Sequence, residues 1–227
     1  MTNSEIVEQT IDFVKETLYG AEGGHDWFHI QRVFKNTLLI AKEEKVDVLV
    51  VSLGALLHDI ADAKFNDGDE TIGPKVAENF LTELNVNKKT IKHVIKIIEN
   101  ISFKNSLSKR RGRRFNSREL QVVQDADRLD AMGAIGVARA FNYGGFKNRE
   151  LYNPEIAPNL KLTKEEYKKS TAPTINHFYE KLLLLKDRMH TDTGKKLAEK
   201  RHQYMLDFLK QFYQEWDPLV PATGNTT

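Results

Sequence analysis

Apolar residues recur at three- and four-residue spacing along most of the chain, and no stretch alternates with the two-residue period of a half-buried strand. The pattern predicts an all-α protein. Thr2 and Glu5 are spaced as a capping box ahead of a first helix over 3–19, which Gly20 ends. A second helix is expected over 25–45. The third, over 47–60, lies in VDVLVVSLGALLHDI and is apolar nearly all round, which marks a central, buried position. Further helices are expected over 72–85, with Pro74 in the first turn, and over 88–101. Asn116 and Glu119 are spaced as a capping pair for a longer helix over 117–142. A loop containing NYGGFKNRELYNPEIAPN follows, Thr163 and Glu166 make another such pair, and helices over 174–189 and 193–216 close the chain. With no repeat, low-complexity tract or linker, the expectation is one multi-helix domain over 1–216. Its motifs lie between 25 and 130, its C-terminal helices over 163–216, and a flexible tail at 217–227.

Composition narrows the function classes. The 227 residues are 40% hydrophobic, enough for a sizeable core in one domain. Lys and Arg total 34 against 32 for Asp and Glu, so the net charge of +2 does not argue for nucleic acid or membrane, and any basic function must be local. The absence of cysteine removes disulfides, thiolate zinc sites and thiol nucleophiles, and suits a reducing cytosol. The start, MTNSEIVEQTIDFV, has acidic residues where a signal peptide needs basic ones, and no apolar run approaches the roughly 18 residues of a membrane span. A soluble, cytoplasmic chain without a membrane partner is expected.

Three polar anomalies carry candidate chemistry. In GHDWFHIQRV, His25 and His29 are four residues apart and share a helical face, which suits a shared metal or one ligand beside one proton carrier. In LLHDIAD, His58 and Asp59 end the most apolar helix. Burying both is costly unless something compensates them, and a cation does so for each. Adjacent helical residues point about 100° apart, so both reach one ion only near a helix end; Asp62, one turn beyond His58, would face the same place. Read alone, the pair also fits an ordinary helix C-terminus. In QDADRLDAMGAIGVARAF, Asp127 and Asp130 share a face with Ala131 and Ala134, while Asp125 points nearly the opposite way. Alone, Asp127 also fits an ion pair with Arg128 or a nearby lysine. Together, His29, His58, Asp59 and Asp127 supply two imidazoles and two carboxylates, a set suited to octahedral Mn²⁺, Fe²⁺ or Mg²⁺ more than to a closed structural zinc site.

H, then HD, then D, in this order on helices, resembles the HD-domain metal-dependent phosphohydrolases, an all-helical superfamily. HDWFH looks like the His-Asn-x-x-His segment of cyclic nucleotide phosphodiesterases, and ADRLD is similar to the Ala-Asp-Arg-Leu segment of bacterial guanosine-tetraphosphate hydrolases. HDIADAKF, SF at 102–103, QDADRLDAMGAIG, NYGG and FYEKLLLLKDRM further resemble a group of small bacterial HD hydrolases, one of which looks like a manganese-dependent nucleoside triphosphate pyrophosphohydrolase. The likeness spans roughly residues 20–216. It implies His29, His58, Asp59 and Asp127 as metal ligands, with Asp127 chosen over Asp125 and Asp130. It also implies His25 as proton donor to a leaving phosphate oxygen and Asp62 as the water-activating group. The expected cofactor is a divalent ion, Mn²⁺ first, with Mg²⁺, Fe²⁺ and Ni²⁺ as alternatives. The expected reaction turns ribo- or deoxynucleoside triphosphates into monophosphate and pyrophosphate. A nucleotidase, a signalling-nucleotide hydrolase and a non-catalytic nucleic-acid-binding protein using the 109–114 basic cluster stay open. A zinc protease is disfavoured, because the Glu of H-E-x-x-H is an Asp here.

Substrate phosphates need cations beyond the metal. The segment KNSLSKRRGRRFNSR holds seven basic residues and no acidic one, and Arg110 and Arg111 within it are candidate phosphate contacts. The same run also reads as a solvated face or a nucleic-acid contact. Lys64, just after the HD pair, is the better individual candidate. Lys147 and Arg149 follow Gly144 and Gly145 in an expected mobile loop, a lid or a surface turn. His93 reads as a packed or surface helix residue or a substrate contact, and His177, His190 and His202 as structural or solvated. The expected partner is a phosphorylated small molecule, a nucleotide, and a homodimer is compatible with the chain.

Overall fold

The computed structural model describes residues 1–21, 26–60, 69, 71–101, 115–161, 163, 166 and 170–219. The α-helices are α1 (Asn3–Thr17), α2 (Trp27–Ala41), α3 (Val48–Leu57), α4 (Ile72–Glu83), α5 (Lys88–Asn100), α6 (Arg118–Asp130), α7 (Gly133–Phe146) and α8 (Asp192–Trp216). A wide π-helical turn, Phe178–Leu182, and a tight 3₁₀ stretch, Leu183–Arg188, precede α8. Among the described residues there is no strand, so the all-α expectation holds. None of these helices is long and apolar enough to cross a membrane.

α3 is the hub. Every residue from Val50 to Leu57 is buried, as an all-round apolar helix requires, and α1, α2, α5 and α6 pack about it. At Gly54 a Cβ would lie 3.2 Å from Ile97 of α5 and 3.6 Å from Val123 of α6. The missing side chain lets both helices close in. Each fully buried leucine here, Leu53, Leu56 and Leu57, contributes about 1.5–3 kcal/mol of apolar transfer.

Helix ends follow local capping chemistry, and several differ from expectation. The Thr2–Glu5 box is present, with Thr2 N donating to Glu5 at 2.7 Å and Glu5 N to Thr2 at 3.3 Å. Thr163 and Glu166 exchange the same pair of bonds. α2 begins later than expected because Asp26 is its N-cap, accepting from His29 N at 2.9 Å. For α6 the cap is Ser117, which accepts from Leu120 N at 3.1 Å. Asn116 instead accepts from Gln121, and Glu119 accepts from Asp47 N.

The helix expected over 117–142 is two helices. It breaks at Ala131–Met132, and Gly133 adopts φ +69, a left-handed conformation that a glycine takes without strain. A Cβ there would sit 3.1 Å from Arg201 of α8, so the same glycine also admits that helix. NYGG, expected in a loop, falls within α7: Phe141 packs near Phe178, Phe208 and Phe212, and the helix runs on past both glycines to Phe146. Lys147, its C-cap, and Arg149 therefore follow a helix rather than a glycine loop. Lys147 lies over the rings of Tyr143 and Phe146, and Arg149 lies over Tyr143 and donates to Ser170 O.

Asp125 ties α8 to α6. Its buried carboxylate accepts from His190 N at 3.0 Å, Thr191 N at 2.7 Å and Thr191 Oγ1 at 2.8 Å. Thr191 in turn caps α8 by accepting from Gly194 N at 2.9 Å. Arg128, also buried, stands 3.5 Å from Asp125 and donates to Arg188 O at 2.6 Å. Asp125→Ala orphans these donors and the Arg128 charge, so a loss of about 3–5 kcal/mol in urea unfolding is expected.

His177 supplies a pH dependence. Burial, with the nearby cations of Lys181 and Arg149, pushes it down to about 3. The unfolded chain takes up that proton near 6.5, so the stability His177 contributes is present above about 6.5 and is lost as pH falls toward 3. The slope is about 1.4 kcal/mol per pH unit in that window. The urea midpoint should fall between pH 7.5 and 5, and fall less in His177→Gln.

Candidate metal centre

The C-terminal end of α3 is where polar chemistry emerges from the core. His58 is the C-cap of α3, and its ring folds back so that Nδ1 donates to Ala55 O at 2.8 Å, satisfying one of the helix's last carbonyls. Its lone pair is thereby on Nε2. Asp59 follows directly, and the helix-end placement lets both neighbours turn to one point. α2 brings His29, in the first turn after the Asp26 cap, and α6 brings Asp127.

These side chains converge. Single ligand atoms of His29, His58 and Asp59 lie within 4.8 Å of one another. The two rings stand 5.3 Å apart, edge to face. Asp127 Oδ1 is 3.7 Å from His29 Nε2 and 3.8 Å from His58 Nε2. Those separations are long for hydrogen bonds and fit atoms sharing one ion at about 2.0–2.2 Å from each. Imidazole nitrogens with their lone pairs on Nε2, beside two carboxylates, make a chemically fitting donor set for a divalent cation. The Asp127 side chain is 35% exposed, so the cluster opens to solvent on its side.

Behind His29 stands a second layer. Nδ1 meets Asp130 Oδ2 at 2.8 Å. Asp130 also accepts from Arg32 Nε at 2.6 Å and Nη2 at 3.0 Å, and from Arg139 Nη1 at 2.8 Å. Burial alone would raise the Asp130 carboxyl, but the His29 and Arg32 hydrogen bonds and the Arg139 charge hold it far below the usual carboxylate range. His29 itself is lowered, by burial first, against the raising pull of Asp130, so it is neutral at pH 7.

Of the expected residues, His29, His58, Asp59 and Asp127 are brought together, whereas His25, Asp62, Lys64, Arg110 and Arg111 lie outside the described residues, as do the 109–114 cluster and Ser102–Phe103. Arg128 turns to Asp125 and Arg188, not to Asp127. His93 meets Ser117 Oγ at 2.9 Å and Glu119 at 3.5 Å, at the start of α6. Trp27 packs against the core with Lys15 over its ring. Sequence reasoning missed Arg32, Arg139 and the role of Asp130. Spacing held two signals: Arg32 is three residues after His29 and Asp130 three after Asp127, each on its partner's helical face. Arg139 had none.

A helical core whose histidines and aspartates meet at a helix end defines a class. The chain belongs to the HD superfamily of metal-dependent phosphohydrolases, with residues 27–132 matching the HD domain family. An HD-superfamily hydrolase from Bacillus thuringiensis has a crystal structure 43% identical to it, covering 95% of this chain and 98% of that one, at a TM-score of 0.74. A Lactobacillus plantarum structure is 36% identical, covering 95% and 99%, at 0.82. The uncharacterized protein YpgQ of Bacillus subtilis is 38% identical over 213 residues, 92% of each chain. A crystal structure of YpgQ in complex with ADP covers 97% of this chain and 98% of that one, at 0.75.

Loss of a donor should weaken metal binding. At a free divalent cation one hundred times its Kd, the wild type gains about 2.7 kcal/mol of stability. If His58→Ala weakens binding 100-fold, the gain at the same cation concentration falls to about 0.4 kcal/mol, read as a thermal shift with and without chelator.

Proposed function

We propose that this hydrolase acts on nucleotides, converting ribo- or deoxynucleoside triphosphates to monophosphate and pyrophosphate with Mn²⁺. The observation that carries the reading is the convergence of His29, His58, Asp59 and Asp127 at the end of α3. The nucleotide class is supported by the ADP complex of YpgQ. Manganese is favoured by the donor set: two imidazoles suit it better than Mg²⁺, and two carboxylates in an open site suit it better than structural zinc.

A divalent ion held there would polarise a phosphoryl oxygen and ease ionisation of a water, the chemistry that phosphate hydrolysis needs. The protein's part is position and charge. His29 and His58 are aimed through Nε2 because their Nδ1 atoms are engaged. Asp59 and Asp127 supply negative charge that a cation must balance. His25, four residues before His29 in the sequence, is assigned proton delivery to the leaving phosphate oxygen, and Asp62 the orientation of the attacking water. Lys64, Arg110, Arg111, Lys147 and Arg149 are assigned to the substrate phosphates.

Metal-stripped protein, with and without Mn²⁺, should be incubated with nucleoside tri-, di- and monophosphates, a guanosine tetraphosphate and cyclic nucleotides, and the products separated by chromatography. Pyrophosphate with monophosphate is expected, falling by about 10³-fold or more in Asp127→Ala, the worth of several kcal/mol of charge stabilisation. Inorganic phosphate from monophosphates would make the protein a nucleotidase instead.

A further inference from the structure

We propose that Asp130 is a positioning residue of the metal centre and that Arg32 and Arg139 hold it so that His29 presents Nε2 to the ion. The inference rests on reading the His29, His58, Asp59 and Asp127 cluster as that centre.

The two imidazoles are oriented by different means. His58 donates to a neutral peptide carbonyl three residues back on its own helix, Ala55 O. His29 is backed across 101 residues of chain by a carboxylate whose side chain is 2% exposed. Asp130 Oδ2 lies within bonding distance of three donors, His29 Nδ1, Arg32 Nη2 and Arg139 Nη1, and Oδ1 accepts from Arg32 Nε. The Arg32 fork fixes the plane of the carboxylate, and Arg139 also reaches the Asp130 backbone carbonyl at 3.2 Å. Two guanidiniums against one carboxylate hold Asp130 in place and keep it from moving forward to join the ligands.

A carboxylate can only accept, so the His29 proton is forced onto Nδ1 and the lone pair onto Nε2. An anion behind a ligating imidazole also raises its basicity, an effect worth about 10- to 100-fold in metal affinity in comparable sites. His29 is therefore the preset donor, and His58 the weaker-backed one. The arginines act on the metal through Asp130 and His29.

The test uses the full-length protein with ¹⁵N-labelled histidine. Long-range ¹⁵N–¹H spectra of the metal-free protein read the tautomer of each ring, with His29 assigned by its loss in His29→Gln, and calorimetry reads Mn²⁺ affinity. In the wild type His29 should carry its proton on Nδ1. Asp130→Asn should shift it toward Nε2–H and weaken Mn²⁺ binding about 10- to 100-fold, with the His58 signal unmoved. Arg32→Gln, which leaves the carboxylate but removes its fork, should weaken Mn²⁺ less and in the same direction, and it serves alone if Asp130→Asn does not fold. A folded Asp130→Asn, or in its place Arg32→Gln, that keeps the wild-type Mn²⁺ affinity and His29 tautomer overturns the positioning role. A wild type that binds no Mn²⁺ overturns the metal centre, a separate outcome.

Discussion

α3 has no side to turn toward water. With every residue from Val50 to Leu57 buried, it must be enclosed by other helices, and only its ends can carry ionisable groups without a large desolvation penalty. Its C-terminal end is doubly suited, because the last turn has carbonyls in need of donors and a partial negative charge that favours cations. His58 uses one of those carbonyls to fix its own ring. The remaining groups arrive on α2 and α6 because those helices are part of the enclosure.

One helix, α6, shows how surroundings separate identical side chains. Asp125 is buried against the start of α8 and is spent on backbone donors. Asp127, two residues on, is partly exposed and faces two imidazoles. Asp130 is buried again, among three cation-forming side chains. The helical period sends Asp125 one way and the other two another. Depth within the protein then divides Asp127 from Asp130, one open to solvent and one sealed behind it.

Much of this was legible in the sequence. The all-round apolar run of α3, the Thr2–Glu5 box and the opposed directions of Asp125 and Asp127 follow from period and capping alone. The four converging residues were reachable from three polar anomalies and the order of H, HD and D, with Asp127 singled out from Asp125 and Asp130 by the likeness of ADRLD to a known ligand segment. What escaped depended on contacts distant in sequence. The break at Gly133 answers to Arg201 of α8, nearly seventy residues later, and no local pattern encodes it. Ser117 rather than Asn116 caps α6, a choice between adjacent good caps that the chain's path decides. Arg32 and Arg139 look like ordinary helix-surface cations until Asp130 is placed between them.

The bonds at both ends of α6's polar face also set an order of events during synthesis. The H, HD and D residues have all left the ribosome once Asp130 has, yet the partners of Asp125, Arg128 and Leu129 are Thr191, Arg188 and Arg201, 60 to 72 residues further on. At about 5–20 residues per second, the motif waits roughly 3 to 14 s for the helix that seals its back. During that interval Asp125 and Arg128 must stay hydrated, which holds α6 away from its final depth. The HD motif of this chain is thus written early and sealed late.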